Sequence, residues 1–378
     1  MIKIMYIVST LGRSGPTNQL YGLIKYLDRK EFDPYIVTLS PEPDDSRWAD
    51  CETLGVHLYS LGLSRLQGFL CAKERIKSLV ADIRPDVVHT QGIRGEAISS
   101  GLKIKIPKMA TIHNMPQFDY IMTYGYIIGS LMCFWHTKIL KEISLCIGIS
   151  EAVSINLEKT YKIKNVVTIQ NGVETDIFFP ATNDERRLLR RKLNLPLTGN
   201  IFISCGYLSK LKDPLFLIDM WIKIFDSKSD NYLVFIGSGN LQEECIRKSF
   251  NSSNIHIAGR INNVPDYLKC GDYFISTSHA EGLPYAVLEA MACGLPVLLS
   301  DIEAHKEIIA IAPDAGFCYQ LGNGVNFLDM LNKITTVDKY IMGRASSEAV
   351  YNHFNAKKMS EAYQRSYSDL YSLTVKPY

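Results

Sequence analysis

Glu281 and Glu289 are separated by seven residues in His279-Ala280-Glu281-Gly282-Leu283-Pro284-Tyr285-Ala286-Val287-Leu288-Glu289-Ala290-Met291-Ala292-Cys293-Gly294. Pro284 suits a first helical position, where a missing N–H costs nothing, and Gly294 suits a left-handed C-terminal cap, which predicts a helix over 284–293. Every residue from 283 to 299 is apolar, small, Tyr or Pro except Glu289. This helix therefore has no solvated face for a carboxylate, and an ionised Glu289 needs a partner. Glu281 precedes the proline, in the loop at the helix entrance. The backbone N–H groups of residues 282–285 and the positive end of the helix dipole lie beside it, an arrangement that holds phosphate. Taken singly, Glu289 also reads as a buried carboxylate bonded to a neighbouring loop, and Glu281 as an acidic neighbour of an N-cap. The joint pattern favours a ligand.

Other groups could act with this pair. Lys212, in Gly206-Tyr207-Leu208-Ser209-Lys210-Leu211-Lys212-Asp213-Pro214, could counter negative charge that develops in a reaction, or could be a solvated loop lysine. His113 follows an apolar run in Thr111-Ile112-His113-Asn114, and a lone histidine there is equally a loop or core residue. His89 ends Pro85-Asp86-Val87-Val88-His89 in the same manner. Gly15 stands in the first strand-to-helix loop, Leu11-Gly12-Arg13-Ser14-Gly15-Pro16, which lacks the GxGxxG spacing of a dinucleotide oxidoreductase. No Asp-x-Asp triplet offers itself to a metal-bound diphosphate, only near misses such as Asp301-Ile302-Glu303 and Glu31-Phe32-Asp33, so no metal or other cofactor is implied. GxSxG, HExxH and Walker A patterns are missing too. A glycosidase needs two carboxylates about 5 to 10 Å apart across one bond, and Glu289 is in the wrong place for that.

The elements that must position these groups alternate along the chain. Short apolar runs such as 2–9, 35–39, 86–89, 108–112, 145–149 and 166–170 are separated by amphipathic stretches. After the turn signal Asn171-Gly172-Val173-Glu174 and a charged helical stretch, the rhythm resumes at 201–205, 232–236, 255–258, 273–276 and 297–299. This is the pattern of parallel α/β sheets, and 378 residues exceed one hydrophobic core, so two doubly wound domains are expected to meet near residue 180. Ligands of such sheets sit beyond the carboxyl ends of the strands. A net charge of +2 argues against a nucleic-acid partner. Between Arg94 and Lys141, however, six Lys or Arg face only Glu96 and Asp119. Inside that segment an uncharged 18-residue run, 120–137, is diluted by Gly, Ser, His and Tyr below a convincing membrane span. It reads as interfacial or as an ordinary helix covering a sheet. Nine cysteines, none in a CxxC pair, and an N-terminus without a cleavage-site pattern imply a reduced, cytoplasmic protein.

Set side by side, these motifs resemble the retaining GT-B glycosyltransferases of family 4, the glycosyl transferases group 1 type. The stretch from Ser278 to Val297 is similar to that family's Glu-x7-Glu signature almost residue for residue. Supporting pieces are Asn171-Gly172-Val173 with Phe178-Phe179-Pro180, Ile149-Ser150-Glu151-Ala152-Val153, and Gly259-Arg260 with Val264-Pro265-Asp266-Tyr267. The resemblance implies a GT-B fold, with two Rossmann-like domains facing a central cleft: residues 1–180 for the acceptor, 181–355 for the nucleotide sugar, and a C-terminal helix of about 356–378 packing back on the first.

It also implies roles. Glu281 lies against the donor sugar, the backbone of Gly282, Leu283 and Pro284 approaches sugar and diphosphate, and Glu289 accepts hydrogen bonds from the ribose. Lys212 binds the diphosphate and His113 contacts the sugar, with Gly15 near the diphosphate and Arg260 and Ile261 near the base. The family usually carries Gly-Arg where this chain has Gly206-Tyr207, a departure for which Lys210 or Arg260 could substitute in part. The activity implied is transfer of a hexose-type sugar from a UDP- or GDP-sugar to a glycan acceptor with retention. The basic, apolar stretch 94–141 suits a polyprenyl-diphosphate-linked acceptor and peripheral association with the inner face of a bacterial membrane, as in O-antigen or capsule assembly. A soluble acceptor, a nucleotide-sugar epimerase and a catalytically weak nucleotide-sugar-binding subunit remain as alternatives.

Overall fold

A computed structural model of the chain describes residues 1–225 and 229–375. It contains two compact units, Met1–Gly172 together with Ala356–Tyr378, and Val173–Asn355. The boundary lies at 172/173, earlier than the expected 180, because Val173 already belongs to the second unit: its N–H donates to the Phe354 carbonyl at 2.7 Å, and it bridges to Asn355.

In the first unit the chain runs β1 (Ile2–Val8), α1 (Gly15–Lys25), β2 (Phe32–Thr38), α2 (Trp48–Thr53), β3 (His57–Ser60) and α3 (Arg65–Ile83). It continues through β4 (Val87–Gln91), α4 (Ile93–Gly101), β5 (Lys108–Ile112), α5 (Pro116–Tyr124), α6 (Tyr126–Leu140), β6 (Leu145–Gly148), α7 (Glu151–Ile155) and β7 (Val166–Thr168). The seven strands pair in parallel in the order β3-β2-β1-β4-β5-β6-β7. Because side chains alternate across a strand, the continuous apolar run of β1 serves two cores. Ile4, Tyr6 and Val8 enter one, with Leu20, Leu23 and Phe32, while Met5 and Ile7 enter the other, with Ala72, Ile76 and Val88.

The second unit holds α8 (Asn183–Lys192), β8 (Asn200–Cys205), α9 (Pro214–Ile224), β9 (Asn231–Ile236), α10 (Gln242–Ser249), β10 (Ile255–Gly259), α11 (Val264–Cys270) and β11 (Tyr273–Ser276). After these come α12 (Tyr285–Ala292), β12 (Val297–Ser300), α13 (Glu303–Ile311), β13 (Gly316–Tyr319), α14 (Gly324–Thr336) and α15 (Lys339–His353). Its parallel sheet has the order β10-β9-β8-β11-β12-β13. Each unit is thus a doubly wound α/β sheet, and in each the strand order reverses once, at β1/β4 and at β8/β11.

The last helix, α16 (Ala356–Val375), returns to the first unit and packs on α1, with Ser360 Oγ donating to Leu23 O at 2.7 Å and Gln364 Nε2 to Tyr26 O at 3.1 Å. Residues 376–378 of the expected C-terminal helix lie outside the described residues. The helix meets the sheet through His89, which is fully buried inside β4 and does not line the strand's end. Its Nδ1 shares a hydrogen bond with Tyr367 OH at 2.7 Å and its Nε2 one with Thr111 Oγ1 at 2.8 Å, while Tyr363 OH meets the same Thr111 hydroxyl at 2.9 Å. Burial pulls the His89 pKa down to about 3, so the ring is neutral in the fold.

A free histidine takes its proton near pH 6.5, so below that value the unfolded chain binds a proton that folded His89 refuses. Stability is fully present above about pH 6.5 and falls as the pH drops toward 3. His89→Gln is expected to cost about 1–3 kcal/mol at pH 7.5 and to flatten the dependence between pH 4.5 and 6.5, read as urea midpoints of the two proteins. Parallel curves would refute the assignment.

Candidate active site

Where neighbouring strands are wound in opposite directions the loops at their carboxyl ends part and leave a crevice. In the second sheet this happens between β8 and β11, and the loops that part carry Gly206 to Asp213 and Thr277 to Pro284. Gly206 and Gly237 adopt φ of +153° and +131°, and a Cβ on Gly237 would stand 2.0 Å from the Gly206 carbonyl oxygen. Only glycine lets the loop after β9 press so close to the loop after β8.

The two loops are tied to each other. His279 N–H donates to Leu211 O at 2.7 Å, and the Thr277 hydroxyl reaches the carbonyls of Lys212 (2.8 Å) and Asp213 (3.0 Å). Asp213 is a left-handed residue at φ +46° that caps α9, accepting from Phe216 N at 3.2 Å, while its other oxygen meets His279 Nε2 at 2.9 Å. That hydrogen bond raises the His279 pKa. A non-glycine residue in this conformation is strained, and the capping and histidine contacts hold it there.

Across the crevice the Lys212 ammonium pairs with Glu281 Oε1, which also accepts from Ser278 Oγ at 2.8 Å. The Glu281 side chain is 10% exposed and that of Lys212 27%. Glu281 is therefore pinned from one side by its own loop and from the other by a cation. The crevice itself is lined by Gly206, Tyr207, Lys212, Thr277 and Ser278. Tyr207, standing where an arginine was expected, is exposed.

Helix α12 leads away from this point. It begins at Tyr285, not at Pro284: the ring fixes only φ, and ψ 118° keeps Pro284 extended, as an N-cap whose side chain bonds nothing. The other end is as expected, with Gly294 at φ +79° after the Cys293 cap. Glu289 is 8% exposed. Cys205, the last residue of β8, has its thiol pushed up to about 12, first by burial and then by the Glu289 carboxylate, with Lys212 opposing. One sulfur thus feels both Glu289 and Lys212, so both charges lie near the β8 end.

A second layer escaped sequence reasoning. Ser300 Oγ, at the end of β12, donates to Ser278 O at 2.6 Å, and fully buried His305 on α13 donates from Nδ1 to Ser300 O at 2.9 Å. Donation from Nδ1 leaves the lone pair on Nε2, which is buried with no hydrogen-bond partner. Burial pulls the His305 pKa down to about 4, with the Glu281 carboxylate opposing, so the ring is neutral and close enough to feel the crevice charge. Only the position of His305 soon after a strand end hinted at this. Asp213 and Ser278 carried no signal beyond lying inside the motifs.

The structure brings Lys212, Glu281, Gly282, Leu283, Pro284 and Glu289 to one edge of the second sheet. Arg260 and Ile261 stand at that same edge just after β10, two strands from β8, with Arg260 exposed. Gly15 and His113 belong to the first unit, at the carboxyl edge of its sheet. Gly15 opens α1 behind the Ser14 N-cap. His113 follows β5, half-buried, and its Nε2 has no hydrogen-bond partner. Burial pulls its pKa down to about 4. Among the described residues no three His, Cys, Asp or Glu side chains gather to hold a metal ion.

Comparison with known proteins gives this arrangement a family. The model of Glycosyltransferase Family 4 matches residues 13–177, and that of Glycosyl transferases group 1 matches residues 185–336. A UDP-Gal:alpha-D-GlcNAc-diphosphoundecaprenol alpha-1,3-galactosyltransferase of Escherichia coli is 29% identical over 213 residues, 54% of each chain. The O-antigen biosynthesis glycosyltransferase WclY of Escherichia coli is 24% identical over 387 residues, 98% of this chain and 99% of its own. Sucrose-phosphate synthase from Thermosynechococcus elongatus shares the fold with a TM-score of 0.85 at 16% identity, over 98% of this chain and 100% of that one. With a family model on each of its two doubly wound sheets, the chain belongs to the GT-B glycosyltransferases of the family 4 and group 1 type.

Proposed function

We propose that the protein transfers a hexose-type sugar, with retention, from a UDP- or GDP-sugar to a hydroxyl of a glycan acceptor in bacterial surface-polysaccharide synthesis, the acceptor being carried on a polyprenyl diphosphate at the inner face of the membrane. The observation that carries the transfer reaction is the Lys212–Glu281 pair at the mouth of α12. The acceptor class is supported by a relative named for a diphosphoundecaprenol-linked acceptor and another named for O-antigen biosynthesis.

In this reading the diphosphate lies over the first turn of α12, where backbone N–H groups and the helix dipole meet its charge. Lys212 exchanges Glu281 for a phosphate oxygen. The carboxylate so released faces the sugar and the positive charge that grows at its anomeric carbon, while Glu289 receives the ribose hydroxyls. As the bond to the nucleoside diphosphate breaks, the acceptor oxygen attacks from the same face. Its proton passes to the departing phosphate oxygen. Lys212 stabilises negative charge that exists fully only in the transition state, so its contribution falls on kcat more than on KM. His113 orients the sugar from the first unit as a neutral ring. No metal ion is assigned a role, and undiminished turnover in EDTA checks this.

Lys212→Ala is expected to lower kcat by about 10²–10³-fold, the cost of one charge-stabilising group, with a smaller change in KM. Glu281→Gln is expected to keep nucleotide binding while losing transfer, measured as labelled product. Unchanged transfer in Glu281→Gln would refute the role given to that carboxylate. The donor is identified by thermal shift against UDP-, GDP- and ADP-sugars, where a ligand at 100 times its Kd adds about 2.7 kcal/mol. Glu289→Gln is expected to shrink that shift for the bare nucleoside diphosphate as well as for the sugar donor.

A further inference from the structure

The uncharged run 120–137 is cut by Gly125, at φ +80°, into α5 and α6, and neither helix is long and apolar enough to cross a membrane. The two pack tightly at Gly129, where a Cβ would fall 2.5 Å from the Tyr120 carbonyl oxygen. Tyr120 OH bonds His136 Nδ1 at 2.8 Å, and His136 Nε2 pairs with buried Glu96 on α4. The inward side of α6 is thus fully explained by Gly129, Cys133, His136, Thr137 and Leu140.

Its outward side is not. At about 100° per residue, Ile127, Leu131, Phe134 and Lys138 form one stripe on the far side of the helix from that buried set. Ile127 is 83% exposed, Leu131 68% and Phe134 58%, and exposed Ile128 and Trp135 widen the stripe. A helix that packs on a sheet normally turns polar residues outward, and one apolar on both sides has a second apolar neighbour. Exposed Phe118 and Met122 on α5 extend the patch.

Charge says what that neighbour is. The Lys138 ammonium sits over the Phe134 ring at 4.5 Å, at the end of the stripe. Exposed Lys141 follows, and because β5, β6 and β7 pair in parallel their amino ends bring Lys103, Lys105, Lys162 and Lys164 to the same margin. Against these exposed cations stand Glu142 and Glu158. An apolar stripe rich in Ile, Leu, Phe and Trp that ends in lysines has the chemistry of an interfacial helix on an anionic bilayer.

We propose that the α5–α6 hairpin is a membrane-docking element, α6 lying in the plane of an anionic lipid surface with Ile127, Leu131 and Phe134 among the acyl chains and Lys138 and Lys141 at the headgroups. This rests on the membrane-borne acceptor proposed above and names the part of the chain that meets the bilayer. The hairpin begins just after His113, so docking sets that residue beside the surface from which such an acceptor would come.

The test is co-sedimentation of the full chain with vesicles of phosphatidylethanolamine and phosphatidylglycerol, against phosphatidylcholine alone. Binding is expected to the anionic vesicles and to weaken with salt. Ile127→Asp/Leu131→Asp/Phe134→Asp, at exposed positions, is expected to keep the thermal transition and transfer to a water-soluble acceptor while losing more than about tenfold in vesicle partition. Lys138→Glu/Lys141→Glu is expected to lose affinity for anionic vesicles by roughly fivefold per lysine. Equal partition of wild type and the triple variant, or no partition of wild type, overturns the proposal. So does a wild-type dimer that the triple variant converts to monomer with vesicle binding unchanged, since the face would then join two copies. Preference for a soluble acceptor with hairpin-dependent vesicle binding would instead remove the lipid-linked acceptor and leave the docking element standing.

Discussion

Parallel strands deliver all their carboxyl ends to one edge of a sheet, and at the reversal between β8 and β11 the connecting chains must leave to opposite faces. Everything distinctive in the second unit follows from that parting. The loop after β8 brings Lys212, the loop after β11 brings Glu281, and hydrogen bonds from Thr277 and His279 to the Leu211–Asp213 backbone hold the two at ion-pair distance. Glycine is required at 237 because a Cβ there would strike the Gly206 carbonyl oxygen, and at 206 because the backbone takes a φ of +153°.

The same edge explains the layering behind the pair. Ser300 at the end of β12 holds the Ser278 carbonyl, His305 holds Ser300, and the loop that carries Glu281 is thereby fastened to the next strand over. The Glu281 carboxylate is thus held by Ser278 of its own loop as well as by the Lys212 ammonium. The first unit follows a different economy. Its histidines at 89 and 113 are both driven neutral by burial, yet His89 is spent on joining α16 to the sheet while His113 keeps an unbonded nitrogen at the sheet's edge.

The hairpin of α5 and α6 shows the limit of reading apolar runs. An 18-residue uncharged segment is compatible with a covered helix or with an interfacial one, because hydropathy counts residues without knowing which side of a helix the protein covers. The side becomes known only when Gly129, His136 and Glu96 identify the inner face, which leaves Ile127, Leu131 and Phe134 outside. Similarly, Pro284 and Gly294 bracket α12 in the sequence, but a proline constrains φ alone, and ψ decided that the helix starts one residue later.

The amino-acid sequence by itself determined the α/β alternation, the helix of α12 with its buried carboxylate and its left-handed glycine end, and the members of the Glu-x7-Glu stretch. These are properties of contiguous residues, where local periodicity and backbone preference suffice. Only the tertiary structure decided that Lys212 faces Glu281, that Asp213 and His279 lock their loops together, that His305 stands behind Ser278, and that His89 belongs to a core. Those contacts join residues from different strands and helices, and strand order, which sets which loops become neighbours, is a property of the folded sheet.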